Sequence, residues 1–337
     1  MTFRDREKER YKKLKPILFS PAAQANGSYR GKPRPFCLAD DYSAENLFVG
    51  IKEDAIRYFL DRHIPWHDGL KERRLPSNHL CCSQSCCINF LFPLVKQPDL
   101  ITTILGHYYP EIATCLPITE DKPRAGGTYP FIAFEWIGTI DYLGEAKRKG
   151  MHRTRGANFT SSDFAFRFRE NNGRVHLVLG EWKYTEEYGR TYKGSGRQGE
   201  ARKNNYISFF RDQNGVFSAN EDKHRLYASL FYEPFYQFMR LQLLAQEMEA
   251  HKEMDADRVS VLHICPEANH EFRKNVTSDY FKRKFPGKEV LEIWTELMPQ
   301  NKFISISVEG LLNTIVRQAG TDNREWVDYL KTRYGWY

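Results

Sequence analysis

The chain has 337 residues, of which 41% are hydrophobic and 14% aromatic, and it carries a formal net charge of +7. This length is ample for a buried core, and the aromatic content excludes a chain that is disordered throughout. No apolar run approaches the roughly 18 residues of a membrane span, the N-terminal residues lack the apolar segment of a secretory signal, and four of the seven cysteines crowd into residues 81–87, so we expect a cytoplasmic protein with no membrane partner.

The N-terminal part is predicted to be helical or irregular. In chain order we expect a charged helix or arm over 1–15, an irregular segment over 20–45, a helix over 43–62, a polar connection over 63–77 and a helix over 78–92. Asn78 can cap the last of these helices, and Pro93 would end it.

The central part is predicted to form strands. A strand over 131–137 lies between loops at 116–130 and 138–161. A hairpin follows over 163–184: its first strand alternates Phe with Ala or Arg, which is the period of a β-strand. Its second strand is apolar on both faces, so it should lie centrally in a sheet.

The C-terminal part is predicted to alternate helices and strands. A helical stretch over 223–252 is divided by Pro234. The remaining predicted elements are a strand over 259–265, helices over 276–284 and 288–298, a strand over 303–308, and helices over 309–318 and 322–333.

The order of these elements predicts the fold. From about residue 78 to residue 265 it is helix, strand, strand, strand, helix, strand, with helical additions at both ends. We therefore expect an α/β (α+β) fold with a mixed central sheet flanked by helices. The expected regions are an extension over 1–77, a core over 78–265 and an α/β addition over 266–337, packed as one compact domain because no clear linker separates them.

The hairpin turn fixes which side chains face each other. Asn171-Asn172-Gly173 suits a three-residue loop with Gly in the left-handed position, which places Asp163 directly opposite Glu181. Such opposed residues share a face, with Cβ atoms roughly 4.5–5.5 Å apart. Lys183 lies on the same face, two residues further on. A two-residue loop would shift the pairing by one and separate the two carboxylates.

Two carboxylates this close repel each other unless a cation or a proton lies between them. With a backbone carbonyl they make a hard-oxygen site suited to Mg²⁺ or Mn²⁺, and Lys183 could orient a water or stabilise charge on a phosphate. The alternative is an ordinary cross-strand charge cluster on a surface hairpin. Against it, Glu181 and Lys183 follow a long apolar run, where charges are costly unless they are used.

Asp163 followed by Glu181-Trp182-Lys183 resembles the D…(D/E)XK signature of the PD-(D/E)XK nuclease superfamily, which has the restriction-endonuclease-like fold. That superfamily's core order matches the order over 78–265. The wider pattern, TRGANFTSSDFAFRF and then HLVLGEWKYTE, is also similar to bacterial restriction-endonuclease-like proteins. Ser162 stands where the signature often has Pro.

The resemblance implies a role for each matching residue. Asp163 and Glu181 would ligate the divalent metal, the carbonyl of Trp182 would complete part of its shell, and Lys183 would position the attacking water. The superfamily often adds an acid from the first helix, which has none here. The candidates for that place are Gln84, Glu135 and Glu145; a buried amide is the alternative for Gln84, and an edge charge is the alternative for Glu135.

The positive charge is concentrated beside the hairpin. Residues 147–155 carry five Lys/Arg and no acid, and residues 190–203 carry five Lys/Arg and one Glu, while the rest of the chain is slightly acidic. Read as two basic loops, these segments indicate a polyanion surface; the alternative is two solvated loops. The predicted DNA-binding residues are Lys147, Arg148, Lys149, Arg153, Arg155, Arg190, Lys193, Arg197, Arg202 and Lys203.

The combined prediction is a Mg²⁺-dependent or Mn²⁺-dependent endonuclease that hydrolyses DNA. The alternative is a protein of the same fold that binds nucleic acid without cutting it, and a carboxylate-pair glycosidase ranks last because the lysine and the basic segments favour phosphate over sugar. By analogy with many relatives, a homodimer is also expected.

Overall fold

The computed structural model describes residues 1–69, 74–123, 127–146, 148, 150–212, 215–217 and 222–335. The α-helices of these residues are α1 Phe3–Leu18, α2 Lys52–Asp61, α3 Ser83–Leu91, α4 Pro98–Leu105, α5 Gly196–Arg211, α6 Lys223–Ser229, α7 Phe235–Ala250, α8 His270–Arg273, α9 Asp279–Lys284, α10 Val290–Leu297, α11 Val308–Gln318 and α12 Arg324–Tyr334. The strands are β1 Ser28–Tyr29, β2 Lys32–Pro33, β3 Ile112–Leu116, β4 Ala133–Trp136, β5 Ser162–Glu170, β6 Val175–Trp182, β7 Arg258–Cys265 and β8 Phe303–Ser307.

A mixed sheet organises the fold. β3 and β4 pair antiparallel with different parts of β5, and β5 and β6 form an antiparallel hairpin. β6, β7 and β8 run parallel. The order α3, β4, β5, β6, α7, β7 confirms the predicted core order, and the helix-flanked mixed sheet confirms the predicted fold class.

Both faces of the sheet are buried. On β5, Phe164 and Phe166 point into one hydrophobic core and Ala165 points into the other, as a period of two requires. The first core packs against α1–α4, α11 and α12, and the second packs against α5–α7, α9 and α10. Burying one phenylalanine side chain contributes about 1.5–3 kcal/mol, so this alternation fixes which residues of the hairpin remain free for chemistry.

The two ends of the chain meet at the end of β6. The Tyr184 hydroxyl donates to the Glu7 carboxylate and lies 3.0 Å from the Tyr11 hydroxyl, so α1 reaches the residue after Lys183. From α12, the Tyr334 ring packs edge-on against Tyr184, and the buried Arg333 donates to Tyr11. The predicted region boundaries stay predictions, although residues from all three regions share the first core.

Two helix predictions are wrong at their starts. The helix expected over 78–92 begins at Ser83, because the Asn78 side chain donates to Ser28 and Asp40 and does not cap a helix. The helix expected over 43–62 begins at Lys52, after a short 3-10 helix and a turn. In contrast, Pro234 does divide the long helical stretch into α6 and α7.

The prediction of a flexible basic loop over 190–203 is also wrong. Its second half is the start of α5, so three of the basic residues stand on a helix. A Cβ on Gly199 would lie 2.2 Å from the backbone of Gly194, so these glycines allow close packing of the helix on the preceding turn. α4 and β3 lie in residues for which no element was predicted. Within the described ranges, no helix is long and apolar enough to cross a membrane.

Candidate active site

The hairpin has the register that the sequence predicts. Phe164 pairs with Gly180, and the Glu170 N–H donates to the Arg174 carbonyl at 2.8 Å across a three-residue turn. Gly173 has a φ of +87°, as its place in this turn requires. One step further along the same register, Asp163 lies opposite Glu181.

Asp163 is held against the second strand. Its Oδ2 accepts a hydrogen bond from the Trp182 N–H at 2.6 Å. Burial, together with the nearby carboxylates of Glu181 and Glu135, holds the pKa of Asp163 well above its usual range. Burial and these neighbouring charges therefore both disfavour the ionised form of Asp163.

Glu181 and Lys183 form an ion pair at the end of β6. Lys183 Nζ lies 2.6 Å from Glu181 Oε1, and both side chains are about nine-tenths buried. Burial disfavours the charge on Lys183, but the field of Glu181 outweighs it and holds the pKa of the ammonium well above its usual value. Lys183 is therefore a fixed cation at neutral pH.

The carbonyl of Trp182 points towards Asp163. The Lys183 N–H donates to Ile264 on β7 at 2.8 Å. Because the C=O and N–H of a trans peptide point in opposite directions, the carbonyl of the Trp182–Lys183 peptide faces away from β7 and towards β5. Asp163, Glu181 and this carbonyl thus lie at the same end of the hairpin.

Two of the candidates for the additional site residue contact each other. Gln84 Nε2 donates to Glu135 Oε1 at 2.7 Å, so Gln84 is a buried amide that orients the carboxylate. Ser161 Oγ donates to the other oxygen of Glu135 at 3.2 Å. Burial raises the pKa of Glu135, whose φ of +51° is unusual for a residue in a strand.

Glu145, the third candidate, is committed to other partners. Its Oε1 accepts from Thr160 Oγ1 and the Tyr206 hydroxyl, each at 2.7 Å, and from Arg240 at 3.1 Å. It lines the same cavity as Asp163, but its oxygen atoms hold a loop to two helices. We therefore place Glu145 in the wall of the site.

Two residues that the sequence did not single out, Gln237 and His67, lie in this site. Gln237 Oε1 accepts from Lys183 Nζ at 2.8 Å, and Gln237 Nε2 donates to the Tyr188 hydroxyl at 2.9 Å. His67 Nε2 lies 3.9 Å from Glu135 Oε1. Gln237 is 54 residues from Lys183 along the chain, so only the packing of α7 on the sheet brings them together.

A cavity of about 910 Å³ joins these groups. Glu135, Asp163 and Glu181 form its acidic floor, and its wall carries Lys193, Arg202 and Arg240 beside the acids Glu145, Glu186 and Glu233. An acidic floor next to these cations suits a phosphodiester beside a divalent cation.

The predicted DNA-binding residues fall into different environments. Arg155 is only 12% exposed at its side chain; its guanidinium donates to Asp121 at 2.9 Å and to the Tyr58 hydroxyl at 3.0 Å, so it supports the fold and is not available to a phosphate. Arg153 donates to the Ile137 and Gly138 carbonyls. Both arginines fasten the loop that follows β4.

The other basic residues lie at the cavity or on the surface. Lys193 and Arg202 line the cavity, and Arg148 and Arg197 are exposed. Arg190 pairs with Asp279 at 2.5 Å, and Lys203 pairs with Glu200 at 2.9 Å. Lys147 and Lys149 lie outside the described residues.

A second acidic cluster lies at the turn end of the hairpin. Among the described residues, Glu111, Glu170 and His176 place ligand atoms within 4.8 Å of one another. Arg258 already pairs with both glutamates, and burial and this arginine lower the pKa of His176 to about 2. Glu170 is about 23 Å along β5 from Asp163, at roughly 3.3 Å per residue. We therefore interpret this cluster as a structural charge network and not as a metal site.

The residues at the other end of the hairpin do fit a divalent cation. Asp163, Glu181 and the Trp182 carbonyl supply hard oxygen donors, which Mg²⁺ and Mn²⁺ prefer. Burial first, and then repulsion by the carboxylates of Glu181 and Glu135, raises the pKa of Asp163. A cation in this place would remove that repulsion.

A helix, three strands, a helix and a fourth strand, with an Asp facing a Glu-x-Lys at the strand ends, define a restriction-endonuclease-like protein. The chain belongs to the family described as restriction endonuclease associating with ARP, whose family model matches residues 7–335. The match extends through both terminal additions. Comparisons with curated proteins and with solved structures found no match.

Proposed function

We propose that this protein is a Mg²⁺-dependent or Mn²⁺-dependent endonuclease that hydrolyses DNA phosphodiester bonds. The observation that carries the proposal is the convergence of Asp163, Glu181 and Lys183 at one end of the hairpin, inside a cavity that Lys193 and Arg202 also line. The family membership supports a nuclease.

Asp163, Glu181 and the Trp182 carbonyl would hold the metal, with Glu135 as a further carboxylate of the same cavity. When bound, the ion would polarise the phosphodiester and lower the pKa of a water molecule. Asp163 must be ionised to take part, so its raised pKa makes metal binding weaker at acidic pH.

Lys183 acts as a cation and not as a base, because its pKa is held well above the usual value. Its ammonium is aimed by two acceptors, Glu181 and Gln237. If Glu181 coordinated a metal ion, its ion pair with Lys183 would weaken. The ammonium of Lys183 would then be available to hold the attacking water or to stabilise the charge that develops on the phosphate. Lys193 and Arg202 would hold the DNA backbone.

The second candidate function is a protein that binds nucleic acid on this fold without cutting it. The intact set of Asp163, Glu181 and Lys183 favours cleavage, because a buried carboxylate pair is costly in a protein that does not use it. A homodimer and a cytoplasmic location stay predictions, which size-exclusion chromatography with light scattering and cell fractionation can check.

A cleavage assay tests the proposal. Plasmid and single-stranded DNA are incubated with Mg²⁺, Mn²⁺ or EDTA and with the variants Asp163→Ala, Glu181→Ala and Lys183→Ala. We expect metal-dependent cutting that each variant reduces at least about 100-fold. The control, Asp328→Ala, changes an exposed acid on α12 and should cut like the wild type. Cutting that survives in all three variants would overturn the mechanism, and binding without cutting would favour the second candidate.

A further inference from the structure

The proposed catalytic groups lie at the bottom of a recess. Glu181 and Lys183 are 8% and 7% exposed, and Glu135 is 2% exposed. The cavity above them is lined on one side by the loop at 156–161 and on the other by α5 and α7. A phosphodiester must therefore enter this recess to reach the carboxylates.

The walls of the recess are tied together. Glu145 Oε1 accepts from Thr160 of the loop at 2.7 Å, from Tyr206 of α5 at 2.7 Å and from Arg240 of α7 at 3.1 Å. A single carboxylate thus spans the space between the loop and the helices. Because the carboxylates lie below walls held this close together, a single extended strand fits the approach better than a base-paired duplex does.

Beyond the cavity, aromatic rings lie beside cations. Tyr192 and Tyr232, both partly exposed, pack with ring centroids 4.6 Å apart, and a backbone bridge joins the two residues. The Lys203 ammonium lies over the first ring and the Arg190 guanidinium over the second. Lys193, the neighbour of Tyr192, lines the cavity itself. Rings and cations in this arrangement suit unpaired bases and their phosphates.

We infer that the recess takes a single unpaired DNA strand, which leaves past Lys193 onto the surface formed by Tyr192, Tyr232, Lys203 and Arg190. This inference rests on the proposed nuclease function and names its substrate class. Duplex DNA is then a substrate only where its strands are already separated.

The test compares three labelled DNAs of one sequence in Mg²⁺ or Mn²⁺: a single strand, a blunt duplex and a duplex with a central unpaired bubble. We expect the single strand and the bubble to be cut, and the blunt duplex to be cut about 100-fold more slowly, because base pairs must open first. Equal or faster cutting of the blunt duplex would overturn the inference while leaving the nuclease function intact.

Binding measured in EDTA distinguishes a failure of the nuclease proposal from a failure of the single-strand inference. If no DNA is cut, the nuclease proposal fails, and fluorescence anisotropy with the single strand and the duplex then decides the substrate class. Tighter binding of the single strand supports the inference, and equal or tighter binding of the duplex overturns it.

Two pairs of variants probe the structural basis of this inference. Tyr192→Ala should weaken binding of the single strand about tenfold or more, since one base–aromatic contact is lost, and Tyr192→Phe should recover most of that loss. The control, Tyr42→Ala, removes an exposed ring outside this surface.

Glu145→Ala should reduce the preference for the single strand over the duplex. Tyr206→Phe, which deletes one of the hydrogen bonds to Glu145, should reduce that preference to a smaller extent. If neither variant changes that preference, the hydrogen bonds of Glu145 do not exclude the duplex.

Discussion

The ammonium of Lys183 donates a hydrogen bond to the side-chain oxygen of Gln237, 2.8 Å away, while it also pairs with Glu181. Gln237 stands in the first turns of α7, on the opposite side of the cavity from β5. The lysine of the strand end is therefore oriented by a helix that follows it by more than fifty residues.

Gln237→Leu should lower the single-turnover cleavage rate about tenfold without changing the Mg²⁺ concentration that gives half the maximal rate, since the lysine loses an acceptor but the carboxylates remain. Gln242→Leu is the matched control: this glutamine of the same helix is buried, and neither its amide nitrogen nor its oxygen has a partner. An equal loss in both variants would assign the effect to the helix and not to Lys183.

Asp163→Asn should stabilise the metal-free protein at pH 8, raising Tm by about 2 °C. The folded state raises the pKa of Asp163, so the native state holds this proton more tightly than the unfolded chain does. Stability from this group is lost as pH rises from the ordinary pKa through the raised one, and the variant escapes that loss.

Mg²⁺ should then raise the Tm of the wild type and not of the variant. Asp328→Asn, an exposed change, should leave Tm unaltered; a lower Tm for Asp163→Asn would contradict the prediction.

Glu135→Gln should raise the Mg²⁺ concentration needed for half-maximal cleavage about tenfold. The amide oxygen can still accept the hydrogen bond from Gln84, so the fold should be retained while the charge is lost. Metal titration of the cleavage rate measures the effect, with the exposed acid Glu200 changed to Gln as the control. An unchanged metal requirement would make Glu135 a structural residue.

Arg155→Ala should lower the stability of the protein, whereas Arg197→Ala should weaken DNA binding. Removing Arg155 leaves the buried Asp121 with one cation fewer, which costs about 3 kcal/mol of unfolding free energy. Removing Arg197, which is exposed on α5, should leave stability within about 0.5 kcal/mol but weaken DNA binding and reduce its salt dependence. Urea unfolding and binding at several salt concentrations measure the two effects. Strong, salt-dependent loss of binding in a fully stable Arg155 variant would return that residue to the DNA surface.

The pairing of Asp163 with Glu181 could be predicted because it depends on local rules: the three-residue turn sets the register, and the period of two sets the face. The positions of Arg155 and Gln237 could not, since each depends on a contact between distant segments. A basic residue looks the same in a sequence whether it faces a phosphate or a buried carboxylate. The basic loop expected over 190–203 is a similar case, because at Gly199 the lack of a Cβ lets a helix pack closely on the turn before it.

The contact of Tyr184 with Glu7 and Tyr334 has a consequence for modularity. Residues of α1 and α12 brace the residue next to Lys183, so the proposed catalytic strand end is completed only once the residues up to Tyr334 have been made. A fragment spanning 78–265 should therefore not be a portable nuclease. Swapping that segment between relatives would fail unless the first and last helices were exchanged with it.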